Sequence, residues 1–542
     1  MSYSCWWKSA VIYQIYLRSF QDTNGDGIGD IPGIIQRLDY LEWLGIDVVW
    51  ITPFYPSPMA DFGYDISDYQ GVDPTFGKLA DLDYLIQLLH DRNIKVIVDF
   101  VAAHTSDQHS WFIESRSSRS HPKRDWYIWK DPTPEGNPPN NWIGRFDGLS
   151  AWEWDAKTEQ YYLHSFLKEQ PDINWRNPGA KQAMLDVLDF WLQRGVDGFR
   201  VDAAYRAYKD PQFRDNPVNP NWHPGMEPSD LLFEVFSKNV PDIHDFNSML
   251  RKFVDQQGDY LLIAELYKSL EEIVKHYGAN DEFHLPLNSE LMSSDLTWSA
   301  ETIREIVERY EHLLPEDAWP NWSLGNHDKH RVASRIGGEQ AKVGMMLLLT
   351  LRGTPTIYYG DELGMEDAWV PSEHIQDPWE KKAPGIGVGR DPERTPMLWD
   401  SSANAGFCAS SVHPWLPITY DYDGINVEVQ KKKSRSFLWL TQSLLTLRKQ
   451  YPVLQLGQYV SLYAPSQLFC YRRFNEDSDL VIALNFSSEY QEWILPEEFR
   501  NQSTILISTF MDRQGGQLGN ILQLRGNEGI VLGSVSRSSP SQ

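Results

Sequence analysis

The sequence predicts an α/β protein: a (β/α)8 barrel of TIM type with an inserted subdomain after its third strand and a C-terminal antiparallel β-sandwich. Three observations predict it. Up to about residue 450, short runs rich in Val, Ile, Tyr and Trp alternate with amphipathic helical stretches, as in a parallel sheet wrapped by helices. The connection between Val101 and Pro178 is far longer than an ordinary crossover loop. Beyond residue 450 the hydrophobic period changes to two, with no helices between the runs.

Seven strands are clear, at 11–16, 47–52, 95–101, 198–202, 261–265, 322–326 and 354–358, with a weaker eighth near 282–285. After the first strand, Asp30 is a suitable N-cap; Ile31, Ile34, Ile35, Leu38, Leu41 and Leu44 follow at helical spacing, and Gly45 closes the helix. Ala183, Met184, Val187, Leu188 and Trp191 repeat the stripe before the strand at 198. A doubly wound open sheet is the competing arrangement, but no GxGxxG or GxxxxGK[ST] turn follows any strand. The stretch after Val101, rich in Trp, Pro, Asn, Asp and His, reads as an inserted subdomain, and a second long insertion covers roughly 365–411. The expected division is a barrel at 1–103 and 176–450, the insert at 104–175, the β-domain at 451–533 and a small, polar, disordered tail at 534–542.

Composition narrows the function. The 75 acidic against 49 basic residues give a net charge of −26, a field that repels phosphate backbones and anionic lipid surfaces. That excludes a nucleic-acid or membrane-surface role and leaves small neutral or cationic substrates. The three cysteines, Cys5, Cys408 and Cys470, have no CxxC spacing, which argues against a disulfide framework and a thiolate zinc site. No secretory signal pattern is visible, and the longest apolar run, 343–351, is about half of the roughly 20 residues a membrane span needs. A cytoplasmic location is expected.

In a barrel, the C-terminal strand ends converge on one face, and here they carry titratable groups. Alternation along 198–202 puts Arg200 and Asp202 on the same side, where the arginine is expected to keep the carboxylate ionised. Glu265 ends an apolar strand whose burial is expected to keep it protonated. Asp328 follows Asn326 and His327, Asp99 and His104 lie in DFVAAHTS, and Tyr64 and Asp65 lie in FGYDISDY. Taken alone, the Arg200–Asp202 pair reads more readily as a structural salt bridge, each histidine as a packing residue and Asp328 as a helix N-cap, while Glu265 reads either way. Their coincidence at the strand ends of one barrel is what points to glycoside cleavage, which needs two opposed carboxylates around a cationic transition state.

The set DFVAAHTS (99–106), QPDINW (170–175), GFRVDAA (198–204), IAEL (263–266) and LGNHD (324–328), in this order, resembles the retaining α-amylase-like glycoside hydrolases of family 13, and more narrowly their α-glucosidase and oligosaccharide-hydrolase branch. The resemblance runs over nearly the whole chain. It implies Asp202 as nucleophile, Glu265 as acid/base and Asp328 as the group that grips sugar hydroxyls in the transition state. It places His104, Arg200 and His327 in the same subsite, with Tyr64 and Asp65 of GYD and Arg390 of GRDPERTP closing the non-reducing end; Arg394 is an alternative to Arg390. Phe166 and Arg331 are further substrate contacts it suggests.

The resemblance is broken at Ala103, where relatives carry an Asn that binds the calcium between barrel and insert, so that metal site is not expected. A different one is. Asp22, Asn24, Asp26, the carbonyl of Ile28 and Asp30 place oxygen ligands at alternate positions of a glycine-rich loop, the spacing by which a short loop wraps Ca²⁺. Position twelve is Gly33 rather than Glu, so the loop is not an EF-hand. Family loops of this form bind Ca²⁺ or Mg²⁺ in a structural role.

The reading is therefore an exo-acting α-glucosidase that releases glucose from short α-glucosides. Ala203 after the nucleophile leans it towards α-1,4 bonds, since α-1,6 relatives usually carry Val there. A transglucosylase such as a trehalose synthase or a sucrose-acting enzyme is the alternative, and a non-catalytic binding subunit is a third.

Overall fold

The computed structural model describes residues 5–534. The barrel strands are β1 (Ile12–Ile15), β2 (Val48–Ile51) and β3 (Lys95–Val101). The insert follows with β4 (Trp129–Lys130), β5 (Trp152–Asp155) and β6 (Gln160–Leu163). The barrel then resumes with β7 (Gly198–Asp202), β8 (Leu261–Ala264), β9 (Leu285–Pro286), β10 (Asn321–Ser323) and β11 (Thr354–Tyr358). All pairings among the eight barrel strands are parallel, in the order β10-β11-β1-β2-β3-β7-β8-β9. The ring is closed between β9 and β10 by a side chain: Asn321 Nδ2 donates to Pro286 O at 2.5 Å, and Asn288 N donates to Asn321 Oδ1 at 2.9 Å. The weak eighth strand thus lies at 285–286, slightly later than its periodicity suggests, and is short because Asn321 does its pairing.

Alternation sorts each strand into two layers. Val49, Ile51, Val96, Val98, Phe199, Val201, Leu262 and Ala264 face the helices and belong to the main core, while Ile12, Val48, Trp50, Ile97, Leu261 and Ile263 fill the barrel interior with Trp7 and Trp319. Going up the interior, the chemistry changes. Ile97 is in register with Gly198 and Gly198 with Leu261; two residues on, Asp99 is in register with Arg200 and Arg200 with Ile263. The apolar floor therefore gives way to charge at the C-terminal rim.

The helix expected from Ile31 to Leu44 is two helices, Ile31–Gln36 and Leu38–Leu44, because Arg37 leaves helical geometry at φ −104°, ψ 10°. Its side chain is committed elsewhere: Nε donates to Gln21 Oε1 at 2.7 Å, and the guanidinium lies 4.1 Å from the Trp399 ring centroid. Gly33 lets this segment ride on the preceding loop, since a Cβ there would sit 2.0 Å from Gln21 O.

The insert is a three-stranded antiparallel sheet, β4-β6-β5, with a helix at Ser110–Ser117. A third long excursion, between β7 and the helix Ile243–Gln257, is irregular and was not singled out from sequence, although its many Pro and Asn residues signal it.

The C-terminal region opens with a helical turn, Pro452–Leu456, before its strands begin. These are β12 (Gln458–Leu462), β13 (Leu468–Phe474), β14 (Asp479–Asn485), β15 (Gln491–Ile494), β16 (Ser503–Ser508), β17 (Ile521–Leu524) and β18 (Gly529–Ser534). A five-stranded antiparallel sheet, β12-β13-β14-β18-β16, covers the pair β15-β17, with Leu468, Val481, Ala483, Ile530 and Leu532 of the sheet clustered with Trp493 and Leu522 of the pair. Its other face sends Phe469, Tyr471, Ile482 and Val531 into the barrel core, and Arg473 Nη1 donates to Thr350 O at 2.6 Å. Ser534, expected in the tail, ends the last strand; the rest of the tail lies outside the described residues. Among the described residues no helix is long and apolar enough to cross a membrane.

Candidate active site

Arg200 is the hub of the rim. It is fully buried and touches three carboxylates: Nη1 donates to Asp99 Oδ1 and to Asp202 Oδ1, both at 2.6 Å, and Nη2 lies 2.8 Å from Glu265 Oε1, out of line for a hydrogen bond. Trp50 Nε1 holds the other oxygen of Asp99 at 2.8 Å. Directly after Asp202 the chain turns sharply. Ala203 adopts φ 43°, ψ 38°, the left-handed region disfavoured for residues with a Cβ, and aims its N–H at Glu265 Oε2, 2.8 Å away.

One cation shared by three carboxylates changes the expected electrostatics of Asp202. Burial and then the Glu265 carboxylate push its pKa well above the ordinary value, and Arg200 only partly offsets them. Burial likewise pushes Asp99 up to about 6 against the pull of Arg200. The expectation that Arg200 keeps Asp202 ionised by itself fails because its charge is divided.

Asp328 stands in the opposite situation. Its Oδ1 accepts from Arg394 Nη2 at 2.7 Å and from Arg390 Nη1 at 3.3 Å. Burial opposes ionisation, yet His327 and these arginines hold the carboxyl far below the usual range. His327 is itself buried and pushed far below its ordinary value, so it is neutral at pH 7 and the two arginines are the operative charges. Its imidazole is clamped, with Gln14 Nε2 2.7 Å from Nδ1 and Tyr64 Oη 2.7 Å from Nε2. A donating Gln14 amide assigns the proton to Nε2, which lies 3.4 Å from Asp328 Oδ2.

These groups line one cavity of about 270 Å³ that includes Asp202, Glu265, Asp328, Tyr64, His104, Phe166, His327 and Arg390. Arg200 lies beneath it. Asp65 does not reach it: the carboxylate is fully buried, accepts from Ser57 Oγ and the backbone N–H groups of Ala60 and Asp61, and is pushed up to about 6 by burial. It builds the turn that presents Asp61, which does line the cavity and takes Arg390 Nη2 at 2.9 Å. The carboxylate expected at Asp65 is therefore at Asp61. Arg331 is also outside: it is fully buried, donates to Tyr359 O at 2.8 Å and sits against the Tyr358 and Tyr359 rings. Arg390 and Arg394 both reach Asp328, so the choice between them dissolves.

The sequence reading missed several cavity residues. Arg145 and Phe146 come from the insert, Tyr205 and Lys238 from the irregular excursion, Tyr267 from just past β8 and Trp379 from the late insertion. Phe146 and Trp379 stack at 5.2 Å and 25° at the cavity wall. Gln170 of QPDINW ties the far side together, with Nε2 3.2 Å from Asp61 Oδ2 and 3.0 Å from His104 Nε2. The QPDINW motif was the available signal for it.

Beside Ala103, whose carbonyl accepts from Ile173 N at 3.0 Å, barrel and insert are tied by an ion pair. Buried Lys209 places Nζ 2.8 Å from Asp172 Oδ2, a fixed ammonium between barrel and insert. In the 22–30 loop, Asp22 accepts from Gly25 N and Gly27 N at 2.7 and 2.9 Å, Asn24 from Asp26 N and Asp26 from Ile28 N at 2.9 Å, and Asp30 from Thr23 N at 3.0 Å. Gly25 and Gly27 adopt φ of 84° and 85° to make these turns. The donor set is all oxygen and carries three carboxylates, which fits a hard dication.

A barrel whose strand ends gather three carboxylates around one cavity has the architecture of a glycoside hydrolase. The profile of the alpha amylase catalytic domain matches residues 14–457, and the chain belongs to that family, glycoside hydrolase family 13. It is 40% identical over 506 residues to a probable alpha-glucosidase of Rhizobium meliloti (strain 1021), covering 91% of each chain. It is 39% identical to an oligo-1,6-glucosidase of Heyndrickxia coagulans over 91% of this chain and 94% of the relative. The crystal structure of an alpha-glucosyl transfer enzyme, XgtA, superposes with a TM-score of 0.89 at 39% identity, covering 98% of this chain and 99% of that one.

Proposed function

We propose that the protein is a retaining, exo-acting α-glucosidase in which Asp202 attacks the anomeric carbon, Glu265 protonates the leaving oxygen and then deprotonates water, and Asp328 binds sugar hydroxyls. The observation that carries this reading is the single guanidinium of Arg200 touching both Asp202 and Glu265 at the floor of the cavity. It puts both acids within reach of one guanidinium, which supports the short separation that retention requires. Burial and the neighbouring Glu265 carboxylate push Asp202 well above its ordinary value, so the two acids do not carry two free negative charges side by side. As positive charge develops at the anomeric carbon, the ionised form of Asp202 is favoured and the proton belongs on Glu265.

Exo action is supported by the far wall. Arg390 Nη2 bridges Asp61 at 2.9 Å and Asp377 at 2.6 Å, a buried ion-pair bridge at the cavity wall that would stop a longer chain from passing and favour a terminal glucosyl unit. The substrate class is short α-glucosides, with an α-1,4 preference supported only by the small side chain at Ala203. Ca²⁺, or Mg²⁺, is proposed for the 22–30 loop through Asp22, Asn24, Asp26, the Ile28 carbonyl and Asp30, where it would brace the loop beside the barrel mouth. A reducing, cytoplasmic setting is supported by the three free cysteines.

A second reading keeps the covalent intermediate but passes glucose to a sugar. The similarity to XgtA favours it, and the stacked Phe146–Trp379 pair offers an apolar platform on which an acceptor ring could lie. The test is a panel of maltose, isomaltose, sucrose and trehalose with products followed by proton NMR. Release of α-glucose from maltose supports hydrolysis; a new disaccharide as main product sinks it. Asp202→Asn must abolish turnover of a nitrophenyl α-glucoside in a folded protein, and undiminished turnover removes the assignment.

A further inference from the structure

Two side-chain clusters among the described residues bring three metal-competent groups together, and only one of them is left incomplete by the protein. In the first, on the outer helices, Glu282 accepts from Asn247 Nδ2 at 2.7 Å and contacts His244 Nδ1 at 3.0 Å, while Asn247 Nδ2 also lies 2.9 Å from His276 Nδ1. Every candidate ligand atom there already has a partner.

The second cluster, His330, Asp367 and Glu393, is different. His330 Nδ1 lies 2.9 Å from Asp367 Oδ2 and 3.8 Å from Glu393 Oε2. Glu393 is 1% exposed, and Oε2 has no hydrogen-bond partner at all. A buried carboxylate oxygen with nothing to accept is costly, and this one points at an imidazole nitrogen and a second carboxylate. Burial, reinforced by Asp367, pushes the Glu393 carboxyl well above its usual value, the response of an acid that lacks a cation.

We propose that His330 Nδ1, Asp367 Oδ2 and Glu393 Oε2 form a binding site for one divalent cation of the zinc type at the mouth of the catalytic cavity. Ligands about 2.1 Å from one zinc ion lie roughly 3.4 Å apart in tetrahedral geometry. The observed 2.9 and 3.8 Å separations straddle that value and all three ligand atoms lie within 4.8 Å of one another, so small side-chain adjustments bring them to one ion. One nitrogen and two carboxylate oxygens suit a borderline dication such as Zn²⁺. The frame is already braced: Arg331 N donates to Asp367 Oδ1 at 2.8 Å, and Tyr358 Oη donates to Glu393 O at 3.0 Å. Water supplies the fourth position, since His330 and Glu393 also line an open groove that runs past Asp328.

The location couples the site to catalysis. Glu393 is followed by Arg394, which holds Asp328, and His330 lies two residues beyond Asp328 on the other strand end. An ion here draws together the two segments that fix Asp328 and sets a dication in the groove on the acceptor side, so occupancy slows turnover.

The test is calorimetric titration of the dialysed full-length protein with zinc chloride, with nitrophenyl α-glucoside hydrolysis followed in parallel. The calorimetric arm is independent of the proposed activity. Expected is one strong Zn²⁺ per chain, weakened about tenfold or more by His330→Gln and by Glu393→Gln but kept in His244→Gln. Zinc should slow wild-type hydrolysis and slow His330→Gln less, each relative to its own metal-free rate. Melting temperatures without metal show whether each variant is folded. Zinc binding unchanged in both variants, or lost in His244→Gln instead, overturns the site; binding without any effect on rate overturns its coupling to catalysis.

Discussion

Two carboxylate clusters share one cavity and are built on opposite charge ratios. Around Arg200, a single guanidinium serves Asp99, Asp202 and Glu265. Around Asp328, two guanidiniums serve Asp328, Asp61 and Asp377, and Asp328 itself receives both. The first cluster is short of positive charge, so burial pushes Asp99 and Asp202 up; the second is well supplied and keeps Asp328 ionised. Identical side chains are thereby given different chemistry within one cavity. On the proposed reading the acid-base work falls to the cation-poor side, and the ionised Asp328 is the group that holds sugar hydroxyls and positive charge.

The comparison can be broken most severely at Glu265. Glu265→Gln should slow maltose hydrolysis about 10²–10⁴-fold while slowing a nitrophenyl α-glucoside far less, because a good leaving group needs no proton. Equal losses on both substrates, measured as kcat, would show that the proton is supplied elsewhere. Next comes the cation of the poorer cluster. Arg200→Met leaves three buried carboxylates unpaired and should cost about 3–5 kcal/mol in denaturant unfolding. Asp99, pushed up to about 6, and Asp202 are raised by burial even with Arg200 in place, and without it they rise further, so the variant should lose stability progressively as pH rises from the ordinary carboxylate range to beyond about 6. A loss that is flat with pH would refute the charge-sharing account.

On the richer side, Arg394→Met removes one of two cations, and Arg390 remains. A loss of about 1.5–3 kcal/mol, seen as a roughly ten- to hundredfold lower kcat/KM, is expected; a larger drop would mean that the two arginines are not shared supports. The smallest effect concerns His104, pushed down to about 4 by burial and therefore neutral in the working range. Because the unfolded imidazole protonates first as pH falls, its contribution to stability is present above about 6.5 and lost towards pH 4. His104→Gln should flatten the acid decline of the melting temperature over that window without moving the limbs of the activity profile. An activity limb that shifts would show that the imidazole titrates during turnover.

Much of this was legible before any coordinates. The two-residue alternation that put Arg200 beside Asp202 extends through Asp99, Trp50 and Gln14, all on interior positions, and the same rule applied to every strand would have found them. The helical stripe after Asp30 was legible too, but its break at Arg37 was not, because it depends on Gln21 and Trp399. Asp65 was favoured over Asp61 because both fit the local pattern. Only the turn geometry, in which Asp65 caps backbone N–H groups and Asp61 meets Arg390, distinguishes them. Arg331 shows the same limit from the other side, a charged residue near a motif that folding buries against two tyrosines.

By itself the sequence determined the order of strands and helices, the alternation that lines the barrel, and which residues could do acid-base chemistry at the strand ends. Those properties are local, set by backbone periods of 2 and 3.6 residues and by side-chain type. Tertiary structure alone decided how many cations each carboxylate shares, which of two neighbouring aspartates meets the cavity, and that Glu393 faces His330 with no partner of its own. These depend on distances between residues tens to hundreds of positions apart, and on burial that removes the water that would otherwise screen them.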